Sequence, residues 1–159
     1  MKTFRTTSSG ETRRLGEQLA RRIATRFLPA ARQKTAVVIA LVGELGSGKT
    51  TFVQGFLRGL GVRRKTNSPT FVIFRRFRLS DKLYTPNLTP FRNVYHIDAY
   101  RIQTPSELLR LGLGDIIRDP RNIVLLEWAE KMRRLLPKRT VKINFEHDTR
   151  ESERFVTVR

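Results

Sequence analysis

A glycine-rich octapeptide between a predicted strand and a predicted helix limits the folds that this chain can adopt. Residues 43–50 have the sequence Gly-Glu-Leu-Gly-Ser-Gly-Lys-Thr, which matches the phosphate-loop pattern Gly-x-x-x-x-Gly-Lys-Ser/Thr in full. The β-branched, apolar run 35–42 before it predicts a buried parallel strand. The apolar residues within 52–60 recur at helical spacing. A strand, this loop and a helix in that order predict an α/β fold, with the loop at the carboxyl edge of a central sheet.

The residue types of this loop are suited to holding phosphate groups. Glycines allow the backbone to curl so that successive N–H groups point at phosphate oxygens, and a helix N-terminus favours an anion there. We expect Lys49 to bridge the β- and γ-phosphates and the Thr50 hydroxyl to ligate Mg²⁺. The loop therefore predicts a nucleotide-binding protein.

The remaining periodicities complete an α/β order. The predicted strands are 2–7, 35–42, 71–79, 94–98, 122–128, 141–145 and 154–158, and the predicted helices are 10–28, 50–60, 105–113 and 129–136. Capping boxes at 8–11 and 104–107 mark two helix starts, and residues 80–92 predict a long loop. The expected fold is a P-loop NTPase-like three-layer sandwich. Its central sheet is mixed and mostly parallel, with helices on both faces and an antiparallel hairpin at the C-terminus.

The length and the apolar runs predict one domain, residues 1–159, without a membrane span. The chain has no cysteine, which excludes a disulfide framework and a thiolate metal site. The longest apolar run, 36–42, is too short to cross a bilayer, and the N-terminus shows no secretory signal. We therefore expect a cytoplasmic protein with no membrane partner.

The charge of the chain is strongly positive. Lys and Arg number 32 against 14 Asp and Glu, for a formal net charge of +18. Such a field favours polyanionic partners, RNA above all, although a compositional bias of the source lineage explains it equally well. Basic pairs and triplets are spread along the chain, which predicts a folded basic surface and not a basic tail.

Two acids follow apolar strands at the expected carboxyl edge of the sheet. Glu127 comes after 123–126, and Asp98 comes after 94–97. Because Mg²⁺ prefers oxygen ligands and keeps several waters, one carboxylate and one hydroxyl suffice to hold it. We expect Glu127 to ligate Mg²⁺ and Asp98 to position the attacking water or join the metal shell. The alternative for each acid is a cap on the next turn.

Three further features have a functional and a structural interpretation. Residues 68–71, Ser-Pro-Thr-Phe, follow the loop helix where nucleotide switches carry a γ-phosphate sensor, or they form an ordinary proline turn. Trp128 packs near the nucleotide or belongs to the core. His96 is interpreted as a satisfied core histidine, and a catalytic role is the alternative.

Four segments in this order resemble the signature set of the TsaE (YjeE) family. They are residues 43–51, Ser-Pro-Thr-Phe at 68–71, His-Ile-Asp-Ala-Tyr-Arg at 96–101 and Glu-Trp at 127–128. Thr12-x-x-Leu15-Gly16 is similar to the N-terminal helix motif of that family. The combination is far more specific than the phosphate loop, and the resemblance covers nearly the whole chain.

The resemblance implies a function. TsaE proteins are small bacterial ATPases that act with TsaD and TsaB in making threonylcarbamoyladenosine at position 37 of ANN-decoding tRNAs. The ATPase hydrolyses ATP slowly on its own, and its activity depends on the partners. This hydrolysis supports multiple turnovers of the assembly. The ATPase does not itself perform the carbamoyl transfer. The implied cofactors are ATP and Mg²⁺, and tRNA is an expected partner through the complex.

The resemblance also implies roles for residues of this chain. Lys49 and Asp98 serve hydrolysis, Thr50 and Glu127 hold Mg²⁺, and the four residues Ser68, Pro69, Thr70 and Phe71 form the switch. The implied nucleotide contacts are Thr12, Glu44, Leu45, Gly46, Ser47, Gly48, Lys49, Thr50, Thr51, Trp128 and Arg154, with Thr12 and Arg154 beside the adenine.

The chain departs from the family pattern in one segment. Residues 72–93 form a longer and more basic stretch than the family predicts, and the overall charge is high for the family. Our hypothesis is that Arg75, Arg76, Arg78 and the 80–92 loop contact tRNA held by the partner complex.

Two other functions remain open from the residues alone. Many short P-loop proteins phosphorylate nucleosides or metabolites, and residues 75–92 are the one Arg-rich candidate for the lid of such a kinase. The second alternative is a non-enzymatic RNA-binding module that uses nucleotide for stability. A phosphorylated acceptor would favour the kinase, whereas the intact loop and two well-placed acids argue against the binding module.

Overall fold

A seven-stranded mixed sheet runs through the part of the chain that the structure, a computed structural model, describes: residues 1–26, 34–62, 73–79, 91–147 and 153–159. The elements in chain order are β1 (Lys2–Thr6), α1 (Ser9–Arg26), β2 (Val37–Val42), α2 (Lys49–Gly59), β3 (Phe74–Arg78), β4 (Asn93–Asp98), α3 (Pro105–Arg110), α4 (Leu113–Arg118), β5 (Asn122–Glu127), a 3₁₀ helix (Ala129–Leu135), β6 (Val141–His147) and β7 (Arg154–Val158).

The strands lie in the order β1-β7-β6-β2-β5-β4-β3. The central pairs β6–β2, β2–β5 and β5–β4 are parallel, and the outer pairs β1–β7, β7–β6 and β4–β3 are antiparallel. The predicted fold class is confirmed, including the C-terminal hairpin. The hairpin also extends the sheet, because β6 pairs directly with the strand that leads into the phosphate loop.

Side chains of β2 alternate between two hydrophobic layers. Ile39 and Leu41 belong to the layer that includes α1 and α2 residues. Val38 and Ala40 belong to the layer that includes α3, α4 and the 3₁₀ helix. Burial on both faces is the reason why residues 37–42 form a continuous apolar run and not an alternating one. Among the described residues, no helix is both long and apolar enough to cross a membrane.

Backbone contact between α1 and α2 depends on glycine. A Cβ atom on Gly55 would lie 2.0 Å from the carbonyl oxygen of Arg13, and one on Gly16 would lie 2.4 Å from that of Phe52. Real Cβ contacts are never that short, so only glycine permits the two helices to approach this closely. The close packing holds α2, and therefore the loop before it, against one face of the sheet.

One predicted helix was wrong in extent. The spacing predicted a single helix from Pro105 to residue 113, but α3 ends at Arg110 and α4 begins at Leu113. Gly112 has φ +89 at the junction, a left-handed conformation that breaks the helix. The predicted start is confirmed, since the Glu107 carboxylate accepts a 2.7 Å hydrogen bond from the Thr104 N–H.

Candidate functional site

The carboxyl ends of β2, β4 and β5 meet the N-terminus of α2 at one edge of the sheet. Asp98 and Glu127 are register partners on neighbouring parallel strands, and Leu41 is the register partner of Glu127 on the other side. A cavity of about 290 Å³ opens at this edge. It is lined by Leu45, Gly46, Gly48, Lys49, Thr50, Thr51, Asp98, Tyr100, Glu127 and Trp128. The phosphate loop and both predicted acids therefore face one cavity.

The loop itself has the curled backbone that the pattern predicts. Gly46 and Gly48 have φ values of +78 and +98, which L-residues other than glycine rarely adopt. The Ser47 N–H donates to the carbonyl of Glu44 at 3.2 Å, and the Phe52 N–H donates to the carbonyl of Gly48 at 2.9 Å. The turn thus leads directly into the first turn of α2, where free N–H groups and the helix dipole favour an anion.

The Lys49 ammonium lies over the loop. Its Nζ donates to the carbonyl oxygens of Gly43 at 2.7 Å and Glu44 at 2.8 Å, and it sits 4.1 Å from the centre of the Trp128 ring. Burial lowers the pKa of Lys49 from its ordinary value, whereas the negative charges of Glu127, then of Glu130 and Asp98, oppose that shift. The cation is thus held between the loop carbonyls and the acids of the cavity.

Glu127 is 2% exposed and is hydrogen-bonded by the side chains of Thr50 and His96. The Thr50 hydroxyl donates to its Oε2 at 2.9 Å and to its Oε1 at 3.1 Å. Nε2 of His96 lies 2.7 Å from the same Oε1. Asp98 is 7% exposed, and its Oδ1 accepts from the Tyr100 N–H at 2.9 Å. A hydroxyl and two carboxylates in one cavity form an all-oxygen donor set, which fits Mg²⁺.

His96 is a buried histidine with a hydrogen-bond partner, as predicted, but sequence reasoning missed which residue that partner is. The ring is 1% exposed and is bonded to the predicted metal acid. The missed signal is strand alternation: His96 stands two residues before Asp98 and therefore projects from the same face of β4. Only the register between β4 and β5 shows that this face brings His96 to Glu127.

The backbone at Trp128 is the second feature that sequence reasoning missed. Its φ of +60 makes it the one non-glycine residue with positive φ among those that the structure describes. A left-handed conformation of a bulky residue costs about 1–3 kcal/mol and clusters at functional sites. The turn places the Trp128 ring over Lys49 and 5.0 Å from the ring of Tyr100. Trp128 lines the cavity, and its contact with a nucleotide stays a prediction.

The sequence model described as "Threonylcarbamoyl adenosine biosynthesis protein TsaE" matches residues 6–156. The chain belongs to the TsaE family. Two relatives carry the name "tRNA threonylcarbamoyladenosine biosynthesis protein TsaE". The Bacillus subtilis protein is 39% identical over 116 residues, which cover 73% of this chain and 65% of the relative. The Haemophilus influenzae protein is 32% identical over 112 residues, which cover 70% of this chain and 64% of the relative.

A solved structure has the same fold as this TsaE chain. The crystal structure of YdiB from the same Bacillus species superposes with a TM-score of 0.66 and 28% sequence identity. The superposition covers 99% of this chain and 83% of the other. The matched region spans slightly less than two thirds of the length of each of these two relatives. The roles of those proteins are therefore proposals for this chain.

The two residues expected beside the adenine both lie next to Gly48 of the loop. A Cβ atom on Gly48 would lie 3.1 Å from Cδ of Arg154 and 3.7 Å from Cγ2 of Thr12. The Thr12 hydroxyl is bonded to the Thr6 hydroxyl at 2.9 Å and to the Ser8 carbonyl at 3.2 Å. Thr12 therefore presents its methyl group to the loop, and the adenine contact stays a prediction for both residues.

Some predicted parts of a TsaE site lie outside the described residues. The switch segment, 68–71, is among them, and so is most of the basic loop, 80–90. The roles that the resemblance implies for these segments stay predictions.

Proposed function

We propose that this chain is a single-domain, Mg²⁺-dependent ATPase that assists TsaD and TsaB in forming threonylcarbamoyladenosine at position 37 of ANN-decoding tRNAs. The observation that carries the proposal is the cavity in which Lys49 and the Thr50–Glu127 pair meet Asp98. Membership of the TsaE family supplies the pathway. Phosphoryl transfer is governed by positioning and electrostatics, and this cavity offers both.

Each part of the cavity has a proposed task. The loop N–H groups and the Lys49 ammonium bind the phosphates, which balances their negative charge in a partly buried site. Thr50 and Glu127 would hold Mg²⁺, which when bound neutralises charge on the phosphate oxygens. Asp98, fixed by the Tyr100 N–H, accepts a hydrogen bond from the attacking water and orients it.

The proposal is tested by measuring ATP hydrolysis of the purified chain, alone and with stoichiometric TsaD and TsaB. We expect weak turnover alone and a clear rise with both partners. Turnover that does not respond to the partners would contradict the accessory role. A screen for phosphorylated nucleosides and metabolites would then examine the kinase alternative.

Asp98→Asn is expected to slow hydrolysis while leaving ATP affinity nearly unchanged. A positioned acid–base group contributes about 10²–10⁴-fold to rate, so we expect a decrease in kcat of at least about 10²-fold. Single-turnover kinetics and equilibrium ATP binding separate the two effects. Asp115→Asn is the matched control, because Asp115 is an exposed aspartate on α4 paired with Arg118. An equal loss of affinity and rate would assign Asp98 to binding instead.

The described part of the basic segment supports a contact between this segment and tRNA. Arg76 and Arg78 are exposed on β3, the edge strand of the sheet, and Nε of Arg76 donates to Oδ1 of Asn93 at 3.1 Å. Residues 76 and 78 alternate with the buried Phe77 and therefore project from one face. We propose that this pair contacts tRNA phosphates in the assembled complex.

Charge reversal at Arg76 and Arg78 is expected to weaken tRNA binding by the assembled complex and to flatten its salt dependence. Loss of one phosphate contact reduces the slope of log K against log salt by about 1, so the double variant should lose about 2. The matched control reverses Arg133 and Arg134, two exposed arginines on the 3₁₀ helix. An unchanged slope in the β3 variant would contradict the contact.

A further inference from the structure

We propose that His96 is a positioning residue that orients the Glu127 carboxylate toward Mg²⁺. The inference rests on the proposed function, because it assumes that Glu127 is a metal ligand. It assigns a task to a buried histidine that has no contact with the phosphate loop among the hydrogen bonds of the described residues.

The contact between the two side chains has a defined direction. Nε2 of His96 lies 2.7 Å from Oε1 of Glu127, and the side chains are 1% and 3% exposed. A carboxylate oxygen accepts, so Nε2 carries the hydrogen. Nδ1 is buried without a hydrogen-bond partner in the described part of the chain. A buried donor without a partner is costly, which favours a ring hydrogen on Nε2 and none on Nδ1.

In this arrangement a hydrogen bond restrains one side of the Glu127 carboxylate, and the other side faces the cavity. Nε2 of His96 bonds Oε1, while the Thr50 hydroxyl makes its shorter bond to Oε2. Thr50 and Glu127 both line the cavity, and His96 does not. His96 therefore lies behind the carboxylate and limits rotation of the group that faces the predicted metal. Metal-binding carboxylates are commonly oriented by such outer hydrogen bonds, and loss of one lowers metal affinity about 10–100-fold.

The backbone pairing of His96 does not depend on its side chain. His96 is the register partner of Leu125 in the parallel ladder between β4 and β5. Backbone hydrogen bonds of that ladder persist when the side chain changes. A residue that only filled the core would therefore affect stability and leave the Mg²⁺ dependence of nucleotide binding unchanged.

The test compares three variants at position 96 by fluorescence titration with N-methylanthraniloyl-ATP, with and without Mg²⁺. His96→Leu removes the donor, His96→Asn places an amide too short to reach Glu127, and His96→Gln carries an N–H group near the place of Nε2. We expect the apparent Mg²⁺ affinity to fall about 10–100-fold in the Leu and Asn variants. The Gln variant should recover most of it, and affinity for the Mg²⁺-free nucleotide should stay constant in all three.

Glu127→Gln separates failure of the inference from failure of the proposed function. If Glu127→Gln loses Mg²⁺ dependence and the His96 variants keep it, the inference is wrong and the metal assignment stands. If Glu127→Gln keeps wild-type Mg²⁺ dependence, both are wrong. Thermal unfolding of each variant identifies the temperature at which all are folded, and the titrations are made there. Should His96→Leu fail to fold, the contrast between Asn and Gln decides.

Discussion

Lys49→Ala is expected to lower ATP turnover by about 10²–10³-fold, the usual effect of removing one preorganised charge-stabilising group. The ammonium is the one cation among the residues that line the cavity. It is held over the loop by the Gly43 and Glu44 carbonyls. Alanine removes the positive charge and leaves the loop backbone in place. Steady-state hydrolysis in the presence of TsaD and TsaB measures the loss.

Lys138→Ala is the matched control for this prediction, because Lys138 is an exposed lysine in the turn between the 3₁₀ helix and β6. It should retain wild-type turnover. We also expect Lys49→Ala to bind ATP more weakly, since the charge acts on the bound phosphates as well. Turnover within a factor of a few of wild type would show that the loop lysine does not act on the phosphates.

Gly55→Ala is expected to destabilise the fold by about 3 kcal/mol, near the upper end for overpacking a tight contact. A Cβ atom at residue 55 would lie 2.0 Å from the Arg13 carbonyl oxygen and 2.7 Å from the Arg13 Cα. These are backbone atoms of α1, so no side-chain rotation relieves the overlap and the helices must separate. Urea unfolding gives the free energy, and the midpoint of thermal unfolding should fall by about 2–4 °C per kcal/mol.

Gly114→Ala is the control substitution on another helix. The nearest atoms to a Cβ there are 3.9–4.0 Å away on flexible side chains, so alanine fits. Alanine is favoured over glycine inside a helix by about 1 kcal/mol, and we expect equal or slightly greater stability. Equal stability of the Gly55 and Gly114 variants would contradict the backbone contact between α1 and α2.

Much of the fold could be predicted because its signals are local. The apolar run 37–42, the glycine pattern after it and the helical spacing of α2 concern neighbouring residues, and the structure confirms all three. The helix break at Gly112 could not be predicted with the same ease. Glycine inside a helical pattern is often tolerated at a cost of about 1 kcal/mol, and only the backbone conformation shows that this one ends α3.

The candidate site likewise combines residues that local patterns predict with contacts that they do not predict. Lys49 and Thr50 follow from the loop pattern, and the two acids follow from their places after apolar strands. By contrast, the bonds from His96 and Thr50 to Glu127 join residues 31 and 77 positions apart. The place of Arg154 next to Gly48 depends on β7, which pairs with β6 in the sheet. These contacts join residues that are far apart in the chain, so no local sequence pattern predicts them.

The sequence by itself determined the phosphate loop and the order of the strands, because backbone curvature and periodicity are properties of adjacent residues, and its four motifs indicated the family. The tertiary structure alone decided that His96 lies behind Glu127, that the Trp128 ring covers Lys49 and that the hairpin continues the sheet beside β2. The physical reason is strand register: which side chains meet across a sheet is set by pairing over long chain separations, and a shift of one residue would turn each of them to the opposite face.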